Sequence, residues 1–213
     1  ANFSPDLDFI AAVDFLAANS DVVIDDIGFY GLPYDQTSNV SSNTAAELNR
    51  TANPIRGYYT SVGNQAQRHY QELYVESGID GLPLVGQAGN FHLFQATGDT
   101  TDCLDLDLRV ANLLLLSPGD TAVITLNWDD TFGAATTNYD LFILDNDTGA
   151  VVASSVDDNP GVTREPVEVV AFTDTPGGSG FYDIIIQNFD NASPAKTFDM
   201  FIVRGGIPCP NGS

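Results

Sequence analysis

The stretch Thr60-Ser61-Val62-Gly63-Asn64 places an amide side chain directly after a strand-like run. The β-branched and aromatic residues of Ile55–Val62 predict a strand, which Gly63 ends. Ligands of open α/β sheets bind beyond the carboxyl ends of the strands, and Asn64 would lie at such an edge. An amide in that position can donate a hydrogen bond to a developing oxyanion. Asparagine is also common in turns, and the stretch alone leaves this second interpretation open.

Nucleophilic catalysis by a serine requires a histidine and an acid in contact with it. The chain has 2 histidines, His69 and His92. The sequence contains no Gly-x-Ser-x-Gly elbow and no Gly-Thr-Ser-x-Ala, Asp-Ser-Gly or His-Gly-Thr motif. We therefore expect no working triad in this chain, and we interpret it as non-catalytic.

Aspartates lie near predicted strand ends at Asp129, Asp140, Asp145 and Asp147. Calcium takes about six to eight oxygen ligands, so such carboxylates are candidate ligands. The segment that starts at Asp145 begins like a calcium-binding loop, but its twelfth position is Val156 instead of glutamate. Calcium is therefore the one cofactor that the sequence suggests, and solvated turn carboxylates are the alternative.

The cysteines and the glycosylation sequons bear on the compartment. The 2 cysteines, Cys103 and Cys209, would form a disulfide in an oxidising compartment, with separate buried thiols as the alternative. Asn-x-Ser/Thr sequons lie at Asn2, Asn39, Asn49, Asn146, Asn191 and Asn211. Together these features predict a secreted, extracellular glycoprotein.

The predicted elements that position these residues fall into regions with different sequence patterns. In residues 1–75, the apolar spacing of Asp6–Asn19 predicts a helix, Asp21–Gly28 a buried strand, and Ser41–Asn53 a second helix before the strand Ile55–Val62. This alternation predicts a parallel α/β layer. The Gly-rich residues 76–90 are predicted to be a connection.

Residues 91–205 lose the helical periodicity and are punctuated by turn residues. The candidate strands are Phe91–Thr97, Leu104–Val110, Thr121–Trp128, Tyr139–Leu144, Val151–Val156, Val167–Phe172, Phe181–Gln187 and Thr197–Val203. This pattern predicts an antiparallel β-sandwich of jelly-roll type, followed by a C-terminal tail at 206–213. The predicted fold class is α+β.

Charge and hydropathy exclude some partners. The chain has 29 acidic and 7 basic residues, a formal charge of −22, which repels nucleic acid and anionic membranes. The longest apolar runs, such as Val110–Leu116, are far shorter than the roughly 20 residues that span a bilayer. We expect no nucleic-acid partner and no membrane span. The charge serves either solubility or cation binding.

Several short segments carry a family resemblance when taken together. They are Asp21–Tyr30, Ser61–Asn64, Leu126–Asp129, Tyr139–Phe142, Val152–Ser155 and Glu165–Glu168. Over roughly residues 6–204 the chain resembles a divergent branch of the subtilisin-like serine peptidases (subtilases), in which a β-sandwich follows the oxyanion-hole asparagine.

The resemblance implies roles for individual residues. Asn64 matches the oxyanion-hole asparagine, and Ile27-Gly28-Phe29 matches the strand edge that lines the substrate cleft. The family's catalytic Asp and His lie before this stretch and its Ser lies after it, and none of the three has a counterpart here. Asn64 is then a vestigial oxyanion residue within this chain.

A two-stranded parallel layer leaves open strand edges and an uncovered face. We therefore predict a secreted structural or interaction protein that self-assembles through this layer into a homo-oligomer or filament. Two alternatives stay open. The chain is a fragment of a secreted subtilisin-like serine endopeptidase whose triad lies on flanking sequence, or it is a calcium- or glycan-binding adhesion module.

Overall fold

The structure is a computed structural model that describes residues 5–33, 36–61, 63, 68–94, 110–175, 177–205 and 207–208. The chain divides into two compact units, residues 1–64 and 65–213. Each unit has its own architecture and its own core. In the described parts, no helix has the length and apolar character to cross a membrane.

The first unit alternates helices and strands as predicted. Its elements are α1 (Pro5–Asn19), β1 (Val22–Asp25), α2 (Asn39–Asn49) and β2 (Gly57–Thr60). The strands pair in parallel, with Val22 opposite Gly57 and Asp25 opposite Thr60. This confirms the parallel α/β interpretation of the region. α1 matches its predicted range to within one residue, whereas β1, α2 and β2 are shorter than their predicted runs.

The core of the first unit lies on one face of its sheet. Ala17 of α1, Val23 of β1 and Ile55 are buried together, with Tyr58 packed against them. The prediction that Asp21–Gly28 is a buried strand is wrong for its second face, because Val22 is 51% and Ile24 is 75% exposed. Side chains alternate along a strand, so with helices on one face the other face stays bare.

The second unit consists mainly of strands. These are β3 (His69–Leu73), β4 (Glu76–Asp80), β5 (Asn90–His92), β6 (Asn112–Leu115), β7 (Thr121–Trp128), β8 (Tyr139–Asp145), β9 (Val151–Ser155), β10 (Val167–Thr173), β11 (Phe181–Asn188), β12 (Thr197–Arg204) and β13 (Ile207–Pro208). Short helical segments complete it: α3 (Leu82–Val85), a π-helical turn (Asn159–Thr163) and a 3-10 turn (Phe189–Asn191).

The strands form two antiparallel sheets. The first has the order β10-β7-β12-β3. In the second, β11 pairs with β8 on one side, and β9 lies beyond β8. On its other side β11 pairs with β6 and then with β5, beyond which lie β13 and β4.

Apolar residues from both sheets meet in one core, which confirms the β-sandwich. Leu126, Phe198 and Ile202 contribute from the first sheet, and Leu141 and Ile186 from the second. Alternation of side chains directs one face of each sheet inward. The strands from β7 to β12 agree with their predicted ranges to within one or two residues at each end.

Residues 76–90 are not a bare connection. They contain β4 and α3, and Ile79 and Val85 pack on a second cluster that includes Phe91 and Phe142, on the outer side of the second sheet. Their glycines allow close approach: a Cβ on Gly89 would lie 2.1 Å from the backbone oxygen of Asn188. The prediction of a linker is therefore corrected, because these glycines serve packing as well as turns.

The structure also differs from the predicted boundary at residue 75. β3 pairs with β12 of the sandwich, and the division between the units falls after Asn64. The polar sequence of β3, HYQEL, hides this edge strand from a hydrophobic-pattern analysis. The predicted strand Phe91–Thr97 corresponds to β5, and most of Leu104–Val110 lies outside the described residues.

Candidate functional site

The carboxyl ends of β1 and β2 bring polar groups together in the first unit. Thr60 Oγ1 donates to Asp25 Oδ1 at 2.8 Å, and the Ile27 N–H donates to the same oxygen at 3.4 Å. Asp25 and Thr60 are the last pair of residues in the two parallel strands. The carboxyl edge, where open α/β sheets bind ligands, therefore carries the Asp25 carboxylate.

A cavity of about 350 Å³ opens beside this edge. Ile27 and Phe29 line it from the segment after β1, Phe9 lines it from α1, and the rings of Phe9 and Phe29 meet edge to face at 5.0 Å. Tyr58 lines it as well. Burial, and then its hydrogen bond to Asp25, raise the pKa of Tyr58, so its hydroxyl stays neutral.

The predicted oxyanion residue, Asn64, lies outside the described residues. Gly63 before it has φ +75°, in the left-handed region that favours glycine. Ile27-Gly28-Phe29 lies in the irregular segment after β1, at the cavity. The structure thus places the predicted cleft residues together and leaves the role of Asn64 a prediction.

Neither histidine contacts a serine in the hydrogen bonds found for it. His92 is fully buried, and its Nδ1 accepts from the Val75 N–H at 3.1 Å. Its Nε2 therefore carries the proton and donates to Tyr70 Oη at 2.7 Å, while Tyr70 donates to Glu72. Burial lowers the pKa of His92 to about 4, so its imidazole is uncharged at neutral pH. It joins β5 to β3, and no motif in the sequence indicates this structural link.

His69 lies on the sandwich surface, where its Nε2 is 2.9 Å from Asp199 Oδ1. Its ring stacks on Phe201 at 4.3 Å between centroids. Both partners belong to β12, so the histidine fixes β3 against its neighbour.

The four predicted calcium ligands lie in different places. Asp129 accepts the Thr197 N–H at 2.6 Å, and Asp145 accepts from the Thr148 N–H at 2.9 Å, so both oxygens hold turns. Asp147 is exposed in the same turn as Asp145. Asp140 lies five residues from Asp145 along β8, about 17 Å away in an extended strand. Among the described residues, no three acidic, His or Cys side chains are grouped so that they could hold a metal ion.

Asp140 differs from the other three because it is buried at the wall of a cavity. The cavity has a volume of about 440 Å³, and Asp140 is 2% exposed. Its Oδ2 accepts from the Gln87 side chain, and its Oδ1 has no hydrogen-bond partner among the described residues. Burial raises the pKa of Asp140 to about 7, and repulsion from Asp157 adds to this.

Glu168 is a second buried carboxyl in the sandwich, at 1% exposure. Its Oε2 accepts from the Ser155 hydroxyl, and its Oε1 accepts from the Asp157 N–H at 3.0 Å. Burial, with the nearby charges of Asp157 and Asp140, raises the pKa of Glu168 to about 8 despite these donors. The sequence did not single out Glu168, because an acidic residue in a strand normally indicates a solvated face.

Some of the predicted modification sites lie within the described residues, and the others lie outside them. Cys103, Cys209, Asn2 and Asn211 lie outside them, so the disulfide stays a prediction. Asn39, Asn49, Asn146 and Asn191 are described, and each side chain makes a hydrogen bond. Asn39, Asn49 and Asn191 are exposed, as an acceptor asparagine must be, whereas Asn146 is partly buried.

Compared with known proteins, the chain matches no protein-family model and no curated protein sequence.

Proposed function

We propose that the chain is a non-catalytic extracellular structural or interaction protein that binds strands of a second polypeptide to its two-stranded layer. The bare face of this layer carries the proposal: Val22, Ile24 and Tyr59 are apolar or aromatic and exposed. Parallel sheets are found almost entirely with both faces covered. Covering this face would contribute about 25 cal/mol for each Å² of apolar area removed from water.

The open edges of the layer support a polypeptide as the partner. Among the described residues, β1 and β2 pair with each other alone. Each outer edge therefore offers a row of backbone N–H and C=O groups to an added strand. A small ligand could not form hydrogen bonds with the whole row. Leu7 and Phe15 on α1 are also exposed and apolar, but they belong to the helix layer on the other side of the sheet from the bare face.

In the self-assembling form of the proposal, the second polypeptide is another copy of the chain. The outer edge of β1 in one copy would meet the outer edge of β2 in the next. Such a contact is head-to-tail, and it produces a ring or a filament. The formal charge of −22 on each copy opposes this contact, so screening by salt should strengthen it.

Sedimentation velocity of the purified chain at micromolar concentration tests this form at low and high salt. We expect larger species that grow with protein concentration and with salt. Ile24→Lys should remove them, because it places a charge on the bare face. Val162→Lys is the matched control, since Val162 is equally apolar and exposed but lies in the second unit. A monomer under every condition would contradict self-assembly.

A second candidate is that the chain is a region of a subtilisin-like serine endopeptidase. The cavity at the carboxyl edge of β1 and β2, lined by Ile27 and Phe29, favours it, because the resembled family binds substrate there. The rest of the peptidase domain would then complete the layer. In this candidate the first unit is subtilisin-like, and the sandwich of the second unit is of jelly-roll type.

The encoding DNA on both sides of the chain separates the two candidates. Flanking sequence with His-Gly-Thr and Gly-Thr-Ser motifs would support the peptidase. Unrelated flanking sequence would count against it and favour a separate partner.

A further inference from the structure

α1 is apolar on the side that faces solvent as well as on the side that faces its own core. Val13 and Ala17 are buried, and Ala17 belongs to the core of the first unit. On the opposite side of the helix, Leu7 is 59% and Phe15 is 66% exposed. Six of the nine exposed positions of α1 are apolar and form its outer face: Leu7, Ala11, Ala12, Phe15, Leu16 and Ala18. A helix that is apolar all round is normally buried on every side, so we expect a partner to cover this face.

The charges around the outer face of α1 argue against a second copy of the chain as this partner. α1 carries Asp6, Asp8 and Asp14 and no lysine or arginine. Asp8 is exposed among the apolar residues of the outer face. Two copies packed in parallel through α1 would place Asp8 beside Asp8. In antiparallel packing Asp8 would meet the carboxyl end of the other helix, where the macrodipole is negative and the last turn has no basic residue. Like charges meet in both arrangements, so the partner that fits is positively charged.

The helical structure of α1 determines the form of the partner. Backbone groups inside a helix bond to one another, so the outer face offers side chains and no row of free N–H and C=O groups. An extended segment packed on it would leave its own backbone groups unpaired against an apolar surface, which is costly. An α-helix satisfies these groups internally and packs on another helix by fitting ridges into grooves.

We infer that the outer face of α1 binds an amphipathic α-helix of a partner protein, one that carries lysine or arginine beside its apolar stripe. The 15 residues of α1 extend over about 22 Å, which is enough to contact about four turns of the partner helix. Apolar side chains of the partner would cover Leu7, Phe15 and Leu16, and its basic residues would lie near Asp8. The bare face of β1 and β2 lies on the other side of the sheet, so this inference does not depend on the proposed function.

Fluorescence anisotropy of a labelled peptide tests the inference on the full chain. The probe is the capped peptide LKKLLKLLKKLLKL, whose leucines fall on one face of a helix. Its analogue with glutamate in place of lysine keeps the apolar face and reverses the charge. We expect saturable binding of the lysine peptide, and binding of the glutamate peptide weaker by about tenfold or more. Equal binding of the two would overturn the inference.

A second peptide separates helix recognition from attraction to the overall charge of the chain. The alternating peptide LKLKLKLKLKLKLK has the same length and a similar charge, but its leucines fall on one face of a strand. It should bind about tenfold more weakly than the helical lysine peptide, which should itself gain helicity on binding in difference circular dichroism. Equal binding of the two lysine peptides would mean that the formal charge of −22 alone attracts them, and would overturn the inference.

Variants locate the binding on α1. Phe15→Gln and Leu7→Gln should each weaken binding of the helical lysine peptide about tenfold or more, because an apolar side chain is no longer buried. Glutamine is a good helix former, so both variants should fold, which circular dichroism checks. Val162→Gln in the second unit and Ile24→Gln on the bare face of β1 are the controls, since both side chains are apolar and exposed. They should leave binding within about twofold. Unchanged binding in both α1 variants would overturn the inference.

Two further outcomes would overturn the inference in favour of another occupant. Self-association that Phe15→Gln removes, with no binding of the helical lysine peptide, would indicate a second copy of the chain. Binding to phosphatidylcholine vesicles that Phe15→Gln removes, again with no binding of this peptide, would indicate a lipid surface.

Discussion

In the sandwich, Ile184 and Ile186 of β11 lie fully buried between two sheets, whereas Val22 and Ile24 of β1 lie in solvent. Both strands are rich in β-branched residues, so their sequences alone do not distinguish them. The difference lies in what surrounds each strand. β11 is paired on both sides and covered on both faces, whereas in the part of the chain that the structure describes β1 has one partner and one covered face. The bare face of β1 is the surface on which the proposed polypeptide partner would pack.

Truncation of an isoleucine in each unit gives the largest expected contrast. Ile186→Ala removes buried methyl groups and leaves a cavity, so it should lower the free energy of unfolding of the sandwich by about 2–5 kcal/mol. Ile24→Ala on the bare face should change stability by about 0.5 kcal/mol or less. Urea unfolding monitored by the fluorescence of Trp128, the one tryptophan, measures the sandwich, and circular dichroism at the helical band measures the first unit. A large effect of Ile24→Ala in the isolated chain would mean that its face is already covered.

A smaller effect is expected from pH, through Glu168. Its pKa is raised to about 8 in the folded protein from the ordinary value of 4.5, so the folded state binds more protons than the unfolded state between these values. Stability from this group is then fully present below about pH 4.5 and is lost as pH rises through 8. The sandwich should lose up to about 2 kcal/mol between pH 6 and pH 8.

The matched variant for this prediction is Glu168→Gln, which keeps the shape and removes the titration. It should reduce the dependence of stability on pH over this range and leave the smaller slope that Asp140 contributes in the same direction. Urea unfolding at several pH values measures both slopes. Equal slopes in the two proteins would contradict a raised pKa for Glu168.

The smallest expected effect lies at the start of α2. Ser38 is buried, and its hydroxyl accepts the Ser41 N–H at 3.1 Å, the bond of a helix N-cap. Ser38→Ala should destabilise the first unit by about 0.5–2 kcal/mol without affecting the sandwich. Ser42→Ala, at an exposed position inside the same helix, is the control and should be neutral or slightly stabilising. Hydrogen exchange of the α2 amides distinguishes the two variants.

The parts of the fold that the sequence predicted well are those with a strong local pattern. Strands β7 to β12 are short runs rich in apolar and β-branched residues between clear turns, and α1 has helical spacing. β3 was missed because an edge strand with exposed polar residues has no apolar alternation. β4 and α3 were missed because the glycines around them also fit a linker, and their close packing on β11 is visible in three dimensions alone.

The candidate sites were harder to predict than the strands. The position of Asp140 near a strand end makes it a candidate ligand, but burial at a cavity wall is what distinguishes it from Asp145. Whether a strand residue faces a core or a cavity depends on which loops fold over it. For Asp140 these loops contribute Gln87, Pro160 and Phe189, which lie 53, 20 and 49 residues from Asp140 along the chain.

The position of β11 in the second sheet has a consequence for the order of events during synthesis. Its partners β5, β6 and β8 are all made earlier, and Phe91 pairs with Gln187 near its far end. The ribosome must therefore release almost the whole sandwich before its second sheet can close. Contacts between such distant residues slow folding, so the unfinished chain exposes its strands for longer than a helical domain of the same length. Until β11 emerges, β5, β6 and β8 lack the central strand that joins them into one sheet.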